Sequence, residues 1–238
     1  MGYACEEKGV YGIFLSGNKK QKFNYTYMKL ELIVPTSLKD IPLKSYQTFV
    51  KMREASTDED FVAQKMIEIF CGIELKDVVK MRLTDVNELL VSFNQIFNEK
   101  PKFQNRFNLH GIEYGFIPKL EDLTLEEFTN LEQLMKSWDT FHMAMAVMYR
   151  PVKLEVKGNY EIHDYFYSED MGEIFKLCPL DICLSARVFF WNLASELLNA
   201  IPSYLERELA KNPSLMKEVN SESSGGGIRS IMHLLTEI

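Results

Sequence analysis

Cysteine is scarce in this sequence. Four cysteines, Cys5, Cys71, Cys178 and Cys183, are spread over 238 residues, too few and too scattered for a disulfide framework. Cys178 and Cys183 enclose four residues, but no second close pair of Cys or His completes a zinc set, so buried, reduced thiols are expected instead of a metal. That pattern suits a reducing cytoplasm or a particle assembled in one. Long apolar runs are also missing. The most apolar stretch, Ile182 to Ala200, contains Arg187 and Glu196 and reads as a buried helix, so no membrane association is expected. The opening MGYACEEKGVYGIF has no basic start followed by an apolar core, and a secretory signal is not expected. Positive charge is in deficit: 27 Lys and Arg against 34 Asp and Glu leave a net charge of −7. Such a chain repels a phosphate backbone, so nucleic acid is not expected as a partner, and the one basic cluster is Lys19, Lys20 and Lys22.

What is present is the composition of a packed protein. Apolar residues make up 46% of the chain and charged residues 26%, which argues against wholesale disorder. Sixteen Phe and eleven Tyr supply large core side chains and leave rings for partner surfaces.

The patterning predicts a mainly α protein with a minor antiparallel β component, an α+β fold. Residues 1–27 lack periodicity and read as an amino-terminal extension. Alternation over Lys29 to Val34 predicts a strand stopped by Pro35. Helical periodicity follows over Leu43 to Arg53. Ser56 with Glu59 has the spacing of a capping box for a helix presenting Phe61, Val62, Met66, Ile69 and Phe70, with Gly72 as its stop. A short helix is expected over Leu75 to Met81, and Thr84-Asp85 as the cap of another carrying Val86, Leu89, Leu90, Phe93 and Phe97 inward. Two strands, Phe103 to Leu109 and Ile112 to Phe116, are joined at His110-Gly111. Thr124-Leu125-Glu126-Glu127 is a second capping box. A helix is expected from Ser137 to Tyr149, a short strand over Val152 to Val156, and a surface loop over Asn159 to Asp170. The longest helical pattern runs from Leu180 to Ala200, closed or kinked by Pro202. One globular domain over residues 28–220 is expected. Ser and Gly residues 221–227 form a flexible linker, and residues 228–238 a carboxyl-terminal docking helix.

Few residues offer chemistry. Gly225 to Gly227 lie near the carboxyl end without a following Lys-Ser/Thr, so they read as linker, not as a phosphate loop. His142 has Asp139 one turn before it, the spacing of a base and its orienter; a hydrogen-bonded core histidine is the plainer expectation. His110 reads as a turn residue, and His163 lies in a polar stretch without cysteine partners. The carboxylates Glu121, Asp122, Glu126 and Glu127 suit the positive end of a helix better than a cation site. Met143, Met145 and Met148 have the spacing of core packing. The segment Trp138, Phe141, Val147 and Phe189 to Trp191 is expected to be buried. No catalytic residue, cofactor or metal ligand is assigned. The candidate partner-binding residues are Ile228, Ile231, Met232, Leu234 and Leu235, an apolar face about three turns long. Such a helix is marginal alone and needs a surface to dock on, its own domain or another chain.

Longer strings carry a resemblance. They are Phe70-Cys71-Gly72-Ile73 with Lys76-Asp77-Val78, Gly111-Ile112-Glu113-Tyr114-Gly115-Phe116-Ile117-Pro118, and Leu123-Thr124-Leu125-Glu126-Glu127-Phe128. Trp138 to Pro151, Pro179-Leu180-Asp181-Ile182 and Val188 to Leu193 continue the pattern. Over most of residues 28–238 the chain resembles small tail-assembly proteins of tailed bacteriophages, of the crAss-like type that infects Bacteroidetes. The resemblance implies a non-enzymatic role in virion tail assembly through protein–protein binding, as a tail assembly chaperone or as a structural subunit, a ring or connector component of the mature tail. It implies other tail proteins as partners, tape measure or tail subunits, together with a homo-oligomer, and a location in the host cytoplasm during assembly or in the virion. A binding module of host origin and a hydrolase using His142 and Asp139 are the competing expectations.

Overall fold

A computed structural model describes residues 19–24, 29–119, 123–168, 170 and 172–192. In chain order the elements begin with strands β1 (Lys19–Asn24) and β2 (Lys29–Val34) and helices α1 (Leu43–Ala55), α2 (Glu59–Cys71), α3 (Leu75–Val78) and α4 (Leu83–Phe97). Next come β3 (Arg106–Leu109), β4 (Ile112–Phe116), α5 (Leu125–Leu134) and α6 (Phe141–Met148). The last are β5 (Tyr149–Val156), β6 (Asn159–Ile162) and a helix over residues 180–192, α7. The fold class is α+β. The chain clusters into two compact units, residues 1–41 with 52–99 and residues 42–51 with 100–238.

In the first unit β1 and β2 form an antiparallel hairpin, Lys19 opposite Val34 and Asn24 opposite Lys29. Strand β1 thus comes from the stretch expected to be an amino-terminal extension, and it pairs with the expected strand over residues 29–34. A lone strand leaves its backbone groups unpaired, and here the partner comes from the stretch that lacks periodicity. Leu32 and Val34 are buried. Past Pro35, the buried Asp40 carboxylate accepts hydrogen bonds from the Thr36 amide at 2.8 Å, the Thr36 hydroxyl at 2.8 Å and the Ser37 amide at 3.2 Å, tying the turn to itself. The α2 helix is capped two residues later than its sequence suggests: Asp58 Oδ1 accepts from the Phe61 amide, while Ser56 Oγ accepts from the Asp58 amide. Asp58 wins because its carboxylate reaches the first-turn amides directly and adds charge at the positive helix end. Gly72 ends α2 with φ 67, the left-handed conformation in which a Cβ is penalised. At α4 the helix begins at Leu83, and the Thr84 hydroxyl bonds the Asp85 side chain without capping. Ile67, Phe70, Leu89, Phe93 and Ile96 fill this core, with Phe70 set edge-on to Phe93 at 5.7 Å between centroids.

The second unit is built on a four-stranded antiparallel sheet in the order β3-β4-β5-β6. His110 (φ 50) and Gly111 (φ 81) make the two-residue β3–β4 turn, both with the positive φ that matches strand twist. Lys157 (φ 53) and Gly158 (φ 82) make an equivalent turn between β5 and β6. Residues 159–162 are thus a strand where a loop was expected, since Lys-Gly supplies the required turn without the Asn-Gly or Asp-Gly signature. Strand β3 starts at Arg106, three residues later than the pattern suggested, and the helix expected over 137–149 is a 3-10 turn at Trp138–Thr140 followed by α6. Strand β5 takes over at Tyr149, because Pro151 restricts Arg150 to extended backbone.

Helix α6 is the centre of this core. Phe141, Ala144, Met145, Val147 and Met148 are fully buried, so Met145 and Met148 are packing residues, as expected. The rings of the sheet pack edge-on, Phe107 against Tyr149 at 5.0 Å and Tyr114 against Phe175 of the turn after Gly172 at 5.0 Å. On the other face of β4, Gly115 is what admits Tyr160: a Cβ there would lie 2.5 Å from its ring. Trp191, expected to be buried, is 38% exposed, while Phe189 stacks on Phe103 at 4.3 Å. Three consecutive rings at 100° per residue cannot all face one core. Trp138 is half-buried.

Candidate functional site

The capping box at Thr124 forms as expected and does more than cap. Glu127 Oε2 accepts from the Thr124 amide at 2.8 Å, and Thr124 Oγ1 accepts from the Glu127 amide at 3.2 Å. The other carboxylate oxygen pairs with Arg150 Nη1 at 2.8 Å, in a position where both side chains are largely buried. Glu127 is therefore a structural anchor between α5 and β5. Glu126 is exposed, and Glu121 and Asp122 lie outside the described residues.

Among the described residues His142 is the one buried histidine, and its two ring nitrogens face different groups. Gln47 Nε2, from α1, lies 2.6 Å from the Trp138 carbonyl and 3.2 Å from His142 Nδ1. A carbonyl only accepts, so the amide nitrogen is the donor there, and Nδ1 accepts from it. The proton then sits on Nε2, which faces Glu173 Oε1 at 3.6 Å. Lys176 holds the same Glu173 oxygen at 2.6 Å. Burial, with the positive charge of Lys176, pushes the imidazole below its ordinary pKa, and Glu173 opposes them. Asp139, the expected partner one turn away, instead has its carboxylate 4.0 Å from Lys51 Nζ. The carboxylate at the ring comes from a distant loop. Gly172 makes that approach possible: its φ is 93, and a Cβ would lie 2.6 Å from the His142 carbonyl oxygen. As a proton acceptor His142 is poorly placed, because the lone pair of its neutral form is taken by Gln47.

Beside this array Arg187 of α7 lies over the Trp138 ring at 4.1 Å and the Phe141 ring at 5.8 Å. Burial pushes the guanidinium below its ordinary range. Tyr46 meets the same Trp138 edge-on at 4.7 Å. These contacts fix the amino-terminal end of α6 against α1 and α7. Gln47, Glu173 and Arg187 were not legible as a set, since no local spacing links them.

Cys71, Cys178 and Cys183 are buried and carry no disulfide. Burial pushes the Cys71 thiol up to about 12 and the Cys178 thiol well above its ordinary value, the protonated, unreactive state. Among the described residues no group of three or more His, Cys, Asp and Glu could hold a metal ion, and no helix is long and apolar enough to cross a membrane. The candidate residues Ile228, Ile231, Met232, Leu234 and Leu235 lie outside the described residues, as do the linker 221–227 and Cys5.

Large apolar side chains stand at the surface of the second unit. Leu125 is 81% exposed and Phe166 80%, and Phe128 and Tyr167 are also exposed. Asn130 Nδ2 donates to the Tyr165 hydroxyl at 2.9 Å, which ties the segment carrying Phe166 and Tyr167 to the helix carrying Leu125 and Phe128. Sequence periodicity placed no ligand here, because Leu125 follows its cap and Phe166 sits in a stretch read only as polar loop. No family model, no curated protein and no solved structure matches this chain.

Proposed function

We propose that the protein acts by binding other proteins, without catalysis of its own, in the assembly of a phage tail. The observation that supports this reading is the exposure of large apolar side chains, Leu125 at 81% and Phe166 at 80%, where water would otherwise meet polar groups. Aromatic and leucine side chains of this kind are the anchors of protein interfaces. The Gln47 amide on the His142 Nδ1 lone pair favours this over the hydrolase reading. The tail-assembly role itself rests on the resemblance carried by residues 28–238. Within that role the assembly chaperone is the preferred form: an acidic chain with exposed apolar side chains suits transient capture of an unassembled partner. A structural subunit of the tail is the alternative. Quantitative mass spectrometry of purified virions, with infected-cell lysate measured alongside, separates them. The chaperone reading expects the chain in lysate bound to a tail protein and absent from virions. Many copies per virion would establish the subunit, and a chain that meets no tail protein in either sample would overturn the tail-assembly role.

A further inference from the structure

The side-chain amide of Gln47 bridges α1 to the amino-terminal end of α6. Its nitrogen lies 2.6 Å from the Trp138 carbonyl oxygen, 3.4 Å from that of Asp139 and 3.2 Å from His142 Nδ1. Gln47 is 8% exposed and His142 7%, so a bond lost here is not replaced by bulk water. An amide nitrogen only donates, so Nδ1 presents its lone pair and the neutral ring carries its hydrogen on Nε2. A second proton has one place to go, that same Nδ1 lone pair. Once Nδ1 carries hydrogen it opposes the Gln47 N–H, donor against donor across 3.2 Å. Turning the amide over would offer Oε1 to Nδ1–H. Oε1 would then meet the Trp138 carbonyl oxygen, acceptor against acceptor, where the nitrogen donates at 2.6 Å. Neither orientation of the amide satisfies both neighbours of a charged ring.

We infer that Gln47 and His142 form a proton-operated latch: with the ring neutral, α1 is held to the turn at Trp138–Thr140, and with the ring charged, the Gln47 bridge opens. The charges around the ring leave its neutral form favoured. Glu173 Oε1 stands 3.6 Å from Nε2, but Lys176 holds that same oxygen, so a charged ring gains a carboxylate only in competition with a lysine. Asp139 has its carboxylate 4.0 Å from Lys51 Nζ of α1. Arg187 of α7 lies over the Trp138 and Phe141 rings, and Glu127 of α5 is paired with Arg150 of β5. Burial first and Lys176 second push the ring toward neutrality, with Glu173 and Asp139 opposing them. The latch is therefore closed at neutral pH and opens on the acid side. The Tyr46 and Arg187 contacts to the Trp138 ring do not use the Gln47 amide, so the opening is a local change at one end of the core.

The test is nuclear magnetic resonance and hydrogen exchange on the full chain. Long-range proton–nitrogen spectra of the imidazoles at pH ~8 should show His142 with its hydrogen on Nε2. As the pH falls toward ~5, the Gln47 side-chain amide should shift with the same midpoint as the ring. Across that midpoint, backbone amide exchange, corrected for its intrinsic pH dependence, should quicken by roughly tenfold in residues 43–51 and 137–141 while far-ultraviolet circular dichroism stays native. Gln47→Leu removes the bridge at every pH, so the quickened exchange should be present on both sides of the midpoint. Gln47→Glu sets an acceptor opposite Nδ1 and should raise the midpoint of the ring by about one pH unit, a roughly tenfold gain in proton affinity that a merely packing side chain would not produce. Hydrogen on Nδ1 at the higher pH, or a Gln47 amide whose shift ignores the titration of the ring, would overturn the latch. So would exchange that still changes with pH in Gln47→Leu, or an unmoved midpoint in Gln47→Glu. Loss of circular dichroism over the same range would make the transition unfolding and overturn it too. The spectra of the unsubstituted chain decide the matter even where a variant fails to fold.

Discussion

Removing the Glu127 carboxylate tests how far one residue joins helix to sheet. Its Oε2 closes the capping box with Thr124, and its Oε1 meets Arg150 Nη1 at 2.8 Å. Arg150 is largely buried, and its Nε has no hydrogen-bond partner, so Glu127 is the carboxylate that compensates this guanidinium among the described residues. Loss of a cap side chain costs about 0.5–2 kcal/mol. Leaving one charge of a buried pair behind costs about 3–5 kcal/mol. Thr124→Ala removes the cap bond from the Glu127 amide, whereas Glu127→Ala keeps that backbone donor and leaves the Arg150 charge unpaired. At about 2–4 °C per kcal/mol for a chain of this size, Thr124→Ala should lower Tm by a few degrees, and Glu127→Ala by roughly 6–20 °C. The assay is thermal and urea unfolding followed by far-ultraviolet circular dichroism. Combining Glu127→Ala with Arg150→Met removes the stranded charge, so the double variant should recover about 2 kcal/mol or more relative to Glu127→Ala alone. If Glu127→Ala costs no more than Thr124→Ala, or if Arg150→Met brings no recovery, the pair is not the junction described.

Gly172→Ala meets both a positive φ and the His142 carbonyl, so it should destabilise by about 1–2 kcal/mol from backbone conformation, with overlap adding to that; an unchanged Tm would contradict the approach of this loop to α6. Because the folded pKa of His142 lies below the unfolded value of about 6.5, the unfolded chain binds more protons in that window. The stability held above pH ~6.5 should therefore fall as pH drops through the folded pKa, and His142→Gln should flatten that slope in urea unfolding measured across it; an unaltered slope would refute the assignment. In a Cys5→Ser background the three buried thiols should react with a disulfide reagent far more slowly at pH 8 than after unfolding, and fast native reaction would contradict their burial. Phe141→Ala should cost about 3–5 kcal/mol while Trp191→Ala costs much less, and equal losses would overturn the partition of rings between core and surface.

The elements that were legible in the sequence depend on contacts within three or four residues. The Thr124 capping box, the Gly72 stop, the His110-Gly111 turn and the β2 alternation are all of this kind, since a hydroxyl, a positive φ or a side-chain period is set by neighbours in the chain. The α+β class followed from them. Local signals failed where two of them competed: Asp58 displaced Ser56 as cap, and the strand restraint before Pro151 shortened the helix over 137–149. The tertiary structure alone decided which distant groups meet. Gln47 reaches His142 across 95 positions, Asn130 reaches Tyr165 across 35, and Glu173, not Asp139, is the carboxylate at the imidazole. Such pairs form because the sheet and α6 bring loops together, and no periodicity encodes a contact whose partner is chosen by topology. Burial follows the same rule. Leu125 and Phe166 are as apolar as Phe141, and only the packing around each determines that one fills the core while the others face water.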